Sequence, residues 1–237
     1  MPSQRRRLIG TRLAIVGAIV YLLEWMAILG FGAGTVPSDP GTSAQAILSE
    51  YKQHALAISL QAGWFSLVLP GRILFVAGVR DSLLRSGFRT ALADFGLLTM
   101  AVSVVLEVAT YAITGGAAHA ATTGADQSVI AGLDAIATWL NLSIWAPLGA
   151  SVLTTALAML LSRAFPAWLC WLGMVAGLIA CVGGLLNGAA FQQGGAFNAA
   201  VGPATSVAVI GFWLWMLITG VLLFRASGSQ LEGARLE

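Results

Sequence analysis

Charge is scarce in this chain. Of 237 residues, 9% are Asp, Glu, Lys or Arg and 58% are hydrophobic, against about 25% charged in an ordinary soluble domain. That ratio excludes a water-soluble globule and equally a disordered chain, which needs the opposite balance. With two cysteines, a disulfide scaffold is excluded: Cys170 and Cys181 stand about 16 Å apart along one predicted helix, too far to bridge. His54 and His119 have no Cys or carboxylate at ligand spacing, so no metal is expected. There is no Gly-rich phosphate loop, no Ser/His/Asp set and no HExxH, so no other cofactor is expected either. The net charge of +2 supplies no basic face for a nucleic acid. The alternating pattern of barrel strands is absent as well.

What is present is long apolar sequence. Six runs, about 13–31, 56–79, 91–114, 135–161, 167–190 and 204–224, are each long enough to cross a hydrocarbon core about 30 Å thick. The expected fold is all-α: one polytopic six-helix transmembrane domain spanning 1–237, with the lipid bilayer as its first partner. Arg5, Arg6, Arg7, Arg12, Arg80, Arg85, Arg89, Arg163, Arg225 and Arg235 fall on one side of it, and Lys52 alone on the other. The positive-inside rule then places both termini in the cytoplasm, with the protein in the cell inner (cytoplasmic) membrane.

Three connections on the opposite side are predicted to be long: 32–55, 115–134 and 191–203. In the first, Thr42 or Ser43 caps a short predicted helix with Ile47, Leu48 and Tyr51 on one face and Glu50, Lys52 and Gln53 towards water, suited to seal the bundle or act as a lid. The fifth span carries Gly173, Gly177, Gly184 and Gly188 at small-xxx-small spacing, which lets backbones approach closely. Its neighbour is either another span or a second copy in a homo-oligomer. The hydrophobic pattern shows no 3+3 inverted repeat of the kind that marks carriers.

Ionisable residues inside a membrane are costly and mark candidate sites. At about 1.5 Å per residue, Glu24 lies about 18 Å from the edge at Arg12, Glu107 about 27 Å from Arg89, and Arg72 about 12 Å from Arg80. Glu24 and Arg72 thus match in depth as a buried salt bridge. Glu107 has no cation at its level, and a carboxyl group so placed can stay protonated and donate a proton. Ser103, Glu107, Thr110, Tyr111 and Thr114 share one face of the third span, and Asp134, Thr138, Asn141 and Trp145 one face of the fourth. Tyr21, Glu24 and Trp25 on the first span and Gln61, Trp64, Phe65 and Arg72 on the second form similar stripes. If the stripes converge, they enclose a pocket with acids, amides and aromatic rings. Its expected members are Glu24 and Glu107 as acids, with Tyr21, Trp25, Gln61, Trp64, Phe65, Arg72, Ser103, Tyr111, Trp139, Asn141, Trp145 and Asn187 around a hydrophobic small-molecule substrate.

Acids and aromatics without metal or nucleotide suit proton-initiated cyclisation of an isoprenoid, in which ring faces stabilise the developing carbocation. The size, helical character and intramembrane acids resemble the small integral-membrane terpene cyclases that act on prenylated indoles and related meroterpenoids. The resemblance implies that Glu24 and Glu107 take part in protonation. The chain is also similar to a family of six-helix actinobacterial membrane proteins, a likeness that implies no activity. The alternatives from other classes are a carrier or receptor for a small amphiphile, with Glu24, Arg72 and Glu107 as a proton-coupled relay, and an accessory membrane subunit.

Overall fold

The computed structural model describes residues 2–32, 36–39, 41–193 and 195–233, without the side chains of 2–11, 187–205 and 227–233. The described residues form ten helices: α1 (Pro2–Leu22), α2 (Glu24–Gly30), α3 (Ala44–Gln53), α4 (Ala55–Val68), α5 (Pro70–Arg85), α6 (Ala91–Thr122), α7 (Gln127–Ser143), α8 (Trp145–Ser162), α9 (Ala167–Gln193) and α10 (Gly195–Gly233). They make six apolar spans, because α1–α2, α4–α5 and α7–α8 are each one span with an interruption.

Each interruption has a local cause. Pro70 lacks the N–H that would close the bond to Ser66, and Pro147 does the same to Ser143, so the ladder breaks at Leu69 and Ile144. The first span has no proline. There the Leu23 carbonyl accepts from the indole Nε1 of Trp64 at 2.8 Å and from Met26 N at 3.1 Å, a tighter turn one residue before Glu24.

The spans are longer than their apolar runs. The expected 115–134 connection shrinks to a turn at 123–126, because α6 continues through Gly115, Gly116 and an Ala-rich segment and α7 starts on the Asp126 N-cap, whose side chain accepts from Ser128 N. Alanine favours helix over loop whatever the hydropathy. The 191–203 connection likewise narrows, with α9 reaching Gln193 and α10 starting at Gly195.

Consecutive spans pack as neighbours, and the sixth returns to the first. Gly17, Gly71 and Gly78 let α1 and α5 touch backbone to backbone, and Gly149, Gly177 and Gly184 do so for α8 and α9. Gly173 is filled by Trp215 and Ala156. Gly173, Gly177 and Gly184 of the fifth span therefore face the chain's own helices. At the arginine-rich end Arg80 pairs with Asp94, Arg85 pairs with Asp81, and Arg163 caps α8 with a left-handed φ of 56°.

The expected short helix is α3, capped by Ser43, which accepts from Ala46 N. Ile47 and Tyr51 are buried against Ala117, Ala118, Ala121 and Ile130, forming a small second core at the end of the bundle opposite the arginines. Asp134 pins this lid: its carboxylate accepts from Ser38 N at 3.1 Å and from the Tyr51 hydroxyl at 2.8 Å. Burial, and then the Asp134 charge, push the Tyr51 phenol well above its ordinary value, so it keeps its proton and donates throughout the neutral range. Hydrogen bonds to a charged group are worth about 1.5–3 kcal/mol, so Asp134→Ala is expected to raise trypsin cleavage at Lys52 in reconstituted protein about tenfold or more. An unchanged cleavage rate would show that the lid is held by its apolar face alone.

Candidate functional site

All three helix interruptions meet at one level of the bundle. α2 begins with Glu24, α5 carries Arg72 two residues past Pro70, and α8 begins with Trp145. Between them and the α6 and α10 faces lies a cavity of about 180 Å³. The first span contributes Tyr21, Glu24 and Ile28, the second Phe65 and Arg72, the third Glu107 and Tyr111, the fourth Asn141, Ile144, Trp145 and Leu148, and the sixth Val209, Phe212 and Trp213.

Arg72 organises the polar half. It is 1% exposed, its Nη2 donates to Glu107 Oε2, and its guanidinium sits 5.0 Å from the centre of the Tyr21 ring. The expected Glu24–Arg72 salt bridge is thus corrected: Arg72 pairs with Glu107, and Glu107 does have a cation at its level. The depth arithmetic failed because α5 runs on to Arg85, past the Val79 assumed as its end. Counted from the true helix ends, Arg72 lies about 20 Å and Glu107 about 24 Å from the arginine-rich edge. An arginine side chain spans that difference.

Glu24 is buried, at 4% exposure, and forms no ion pair among the described residues. Its carboxyl group neighbours the Tyr21 hydroxyl and the Trp213 indole, and Arg72 and Glu107 act on it through space. Trp213 Nε1 also donates to the Tyr21 hydroxyl at 3.2 Å, while Trp25 meets Trp213 edge-on at 4.7 Å. Phe65 stacks on Tyr111 at 4.1 Å and forms an apolar wall. The site therefore holds one counter-ion pair, one acid outside it, and ring faces within reach of both.

Of the residues expected at the pocket, Tyr21, Glu24, Phe65, Arg72, Glu107, Tyr111, Asn141 and Trp145 line it. Trp25 and Trp64 stand behind it, against Trp213 and the Leu23 carbonyl. Gln61 is half-buried outside it, and Trp139, 41% exposed, faces outward. Ser103 is fully buried one turn from Glu107, below the cavity. The Asn187 side chain lies outside the described residues. The fourth-span stripe divides, since Asp134 and Thr138 hold the loop of Ser38 while Asn141 and Trp145 face the cavity. Phe212 and Trp213 were missed because the sixth span has no polar stripe; its aromatic run Phe212-Trp213-Leu214-Trp215 was the available signal.

Fold and site together define an all-helical, multi-pass membrane protein with a charged cavity among broken helices. The chain belongs to the DUF4386 family, described as a domain of unknown function, whose model matches residues 36–220. That segment contains Arg72 and Glu107 but not Tyr21 or Glu24. No functionally curated protein and no solved structure matches the chain.

Proposed function

We propose that the chain binds a small amphiphile within the membrane and that occupancy of the cavity is linked to proton exchange at Glu24, as in a proton-coupled carrier or receptor. The observation that carries this reading is the meeting of three kinked spans, at Leu23, Leu69 and Ile144, around the cavity lined by Glu24, Arg72 and Trp145. Leu23, Leu69 and Ile144 keep right-handed helical dihedrals, so the spans are kinked rather than unwound, and kinks that free backbone groups at membrane depth are tolerated where the chain lines a cavity or is held by neighbours. The Arg72–Glu107 pair offers both a donor and an acceptor to a polar headgroup, and Phe65, Tyr111, Phe212 and Trp213 offer contact to an apolar body. A volume of about 180 Å³ is below the roughly 300–1,000 Å³ of sites that enclose drug-sized ligands. The ligand is accordingly short, or inserts one end. The proposal includes a cytoplasmic-membrane location with both termini inside, supported by the ten of twelve basic residues that the order of the six apolar runs puts on one side.

The test compares wild-type and Glu24→Gln protein purified at mildly acidic and mildly alkaline pH, with co-purifying small molecules released and identified by mass spectrometry. Wild type is expected to retain a species at one pH and lose it at the other, whereas Glu24→Gln retains it equally at both. Equal retention by wild type at both pH values would remove the proton linkage.

A second reading, proton-initiated cyclisation of a prenylated indole, is favoured by the ring faces of Tyr21 and Trp213 beside Glu24. Glu24 is then the donor, since Glu107 is engaged as the counter-ion of Arg72. Incubating membranes with farnesylated and geranylated indoles in deuterated water distinguishes it: a cyclase yields an isomer of the substrate carrying one non-exchangeable deuterium.

A further inference from the structure

The two glycine seams are one arrangement occurring twice. In the first, a Cβ on Gly17 would lie 2.4 Å from Phe75 N and 2.5 Å from Gly71 O, a Cβ on Gly71 2.6 Å from both Gly17 O and Tyr21 N, and a Cβ on Gly78 2.4 Å from Ala14 N. In the second, a Cβ on Gly149 would lie 2.5 Å from Cys181 N and 2.6 Å from Gly177 O, a Cβ on Gly177 2.8 Å from Gly149 O and 2.5 Å from Leu153 N, and a Cβ on Gly184 2.7 Å from Ala146 N. One shift of numbering on α1 carries 14, 17 and 21 onto 146, 149 and 153 of α8. Another carries 71, 75 and 78 of α5 onto 177, 181 and 184 of α9. Each of the five backbone contacts just given then has its counterpart.

The pairs run in opposite senses. α1 leaves the arginine-rich end and α8 returns to it, so the second pair runs inverted across the membrane relative to the first. Charge is not repeated, for Leu153, Ala156 and Leu178 stand where the first pair has Tyr21, Glu24 and Arg72. The repeat is thus one of helix packing, and a single half supplies the chemistry.

A second observation concerns the side of the cavity facing the arginines. Ser103 Oγ, Thr155 Oγ1, Trp215 Nε1 and Thr219 Oγ1 are buried without a hydrogen-bond partner among the described residues. All four lie between the cavity and the arginine-rich end: Ser103 precedes Glu107 on the ascending α6, and Thr155, Trp215 and Thr219 follow the lining residues on the descending α8 and α10. Dry polar groups are costly, and a state that opens this side to water satisfies them together.

We infer that the chain contains an inverted-topology repeat whose two glycine-packed helix pairs rock against the remaining spans, so that the cavity is reached in turn from either face of the membrane. The activity is then transport of the cavity's ligand rather than signalling by it. This inference rests on the ligand site proposed above, and inverted repeats around a midplane site are the architecture on which alternating access is built.

The test uses the full chain in a Cys170→Ala, Cys181→Ala background, in membrane vesicles of both orientations, with a membrane-impermeant cationic methanethiosulfonate as probe. Single cysteines are placed at Thr219 and Ser103 on the arginine-rich side, at Asn141 on the other side, and at the fully buried Val76 as reference. Asn141→Cys is expected to react from the face opposite the arginines. Thr219→Cys and Ser103→Cys are expected to react from the arginine-rich face at about a hundredth to a tenth of the rate of an exposed thiol, as a minor state populated at about 1–10% requires, and well above Val76→Cys. Should Ser103→Cys fail to insert, Thr219→Cys decides alone. Reaction of both at no more than the Val76→Cys rate, with Asn141→Cys reactive, overturns the inference even if pH-linked ligand retention persists, and leaves a one-sided receptor pocket. Two-sided labelling without pH-linked retention instead keeps the moving repeat and removes the role given to Glu24.

Discussion

Leucine at Arg72 is expected to lower the stability of the protein by about 3–5 kcal/mol, the usual cost of removing one partner of a buried ion pair. The loss arises because Glu107 would remain in a largely apolar cavity without its counter-ion, and because the Tyr21 ring would lose the guanidinium lying 5.0 Å from its centre. For a chain of this size, about 1 kcal/mol shifts the melting temperature by roughly 2–4 °C, so thermal unfolding in detergent resolves the effect easily. Glu107→Leu should be similarly damaging. The Arg72→Leu, Glu107→Leu double variant should recover much of the loss, since it leaves no unpaired charge and adds apolar volume. A double variant as unstable as the sum of the singles would mean that the pair is not the interaction being lost.

Gly71→Ala is expected to cost about 1–3 kcal/mol, as overpacking of a tight core does, although it adds a single methyl group and alanine is the better helix former. Its Cβ would fall 2.6 Å from Gly17 O and from Tyr21 N, both backbone atoms that yield only if α1 and α5 separate. Since Tyr21 carries the ring over Arg72, ligand retention should fall with stability. Gly63→Ala, whose Cβ meets nothing within 4 Å, is the matched control and should gain up to about 1 kcal/mol from helix propensity. Equal melting temperatures for the two variants would show that the seam is looser than its backbone contacts imply.

Much of this was legible in the sequence. Hydropathy alone gives six spans, and the 3.6-residue period put Tyr21, Phe65, Arg72, Glu107, Tyr111, Asn141 and Trp145 on faces that do converge. The Ser43 cap and the buried face of Ile47 and Tyr51 followed from local chemistry too. What failed was whatever depends on where a helix ends. Arg80 looks like a membrane-edge residue, yet α5 runs on past it to Arg85, with Arg80 paired to Asp94 and Arg85 to Asp81, and that offset assigned Arg72 the wrong acid. The proposed repeat would leave no mark in the hydropathy for a different reason. Packing asks only for small residues at 14, 17, 71 and 78 and at their counterparts, so the intervening sequence is free to diverge until hydrophobic pattern no longer reveals it.

The turn between α8 and α9 shows a local preference overruled. Arg163 caps α8 at φ 56°, a conformation that costs an L-residue with a side chain roughly 1–2 kcal/mol and that glycine adopts freely. It is also the basic residue that joins the fourth span to the fifth. A glycine there would make a better turn and leave the loop without its basic residue. The folded state thus carries at this hairpin a strain of roughly 1–2 kcal/mol that glycine would remove, and with it the charge that separates the fourth span from the fifth.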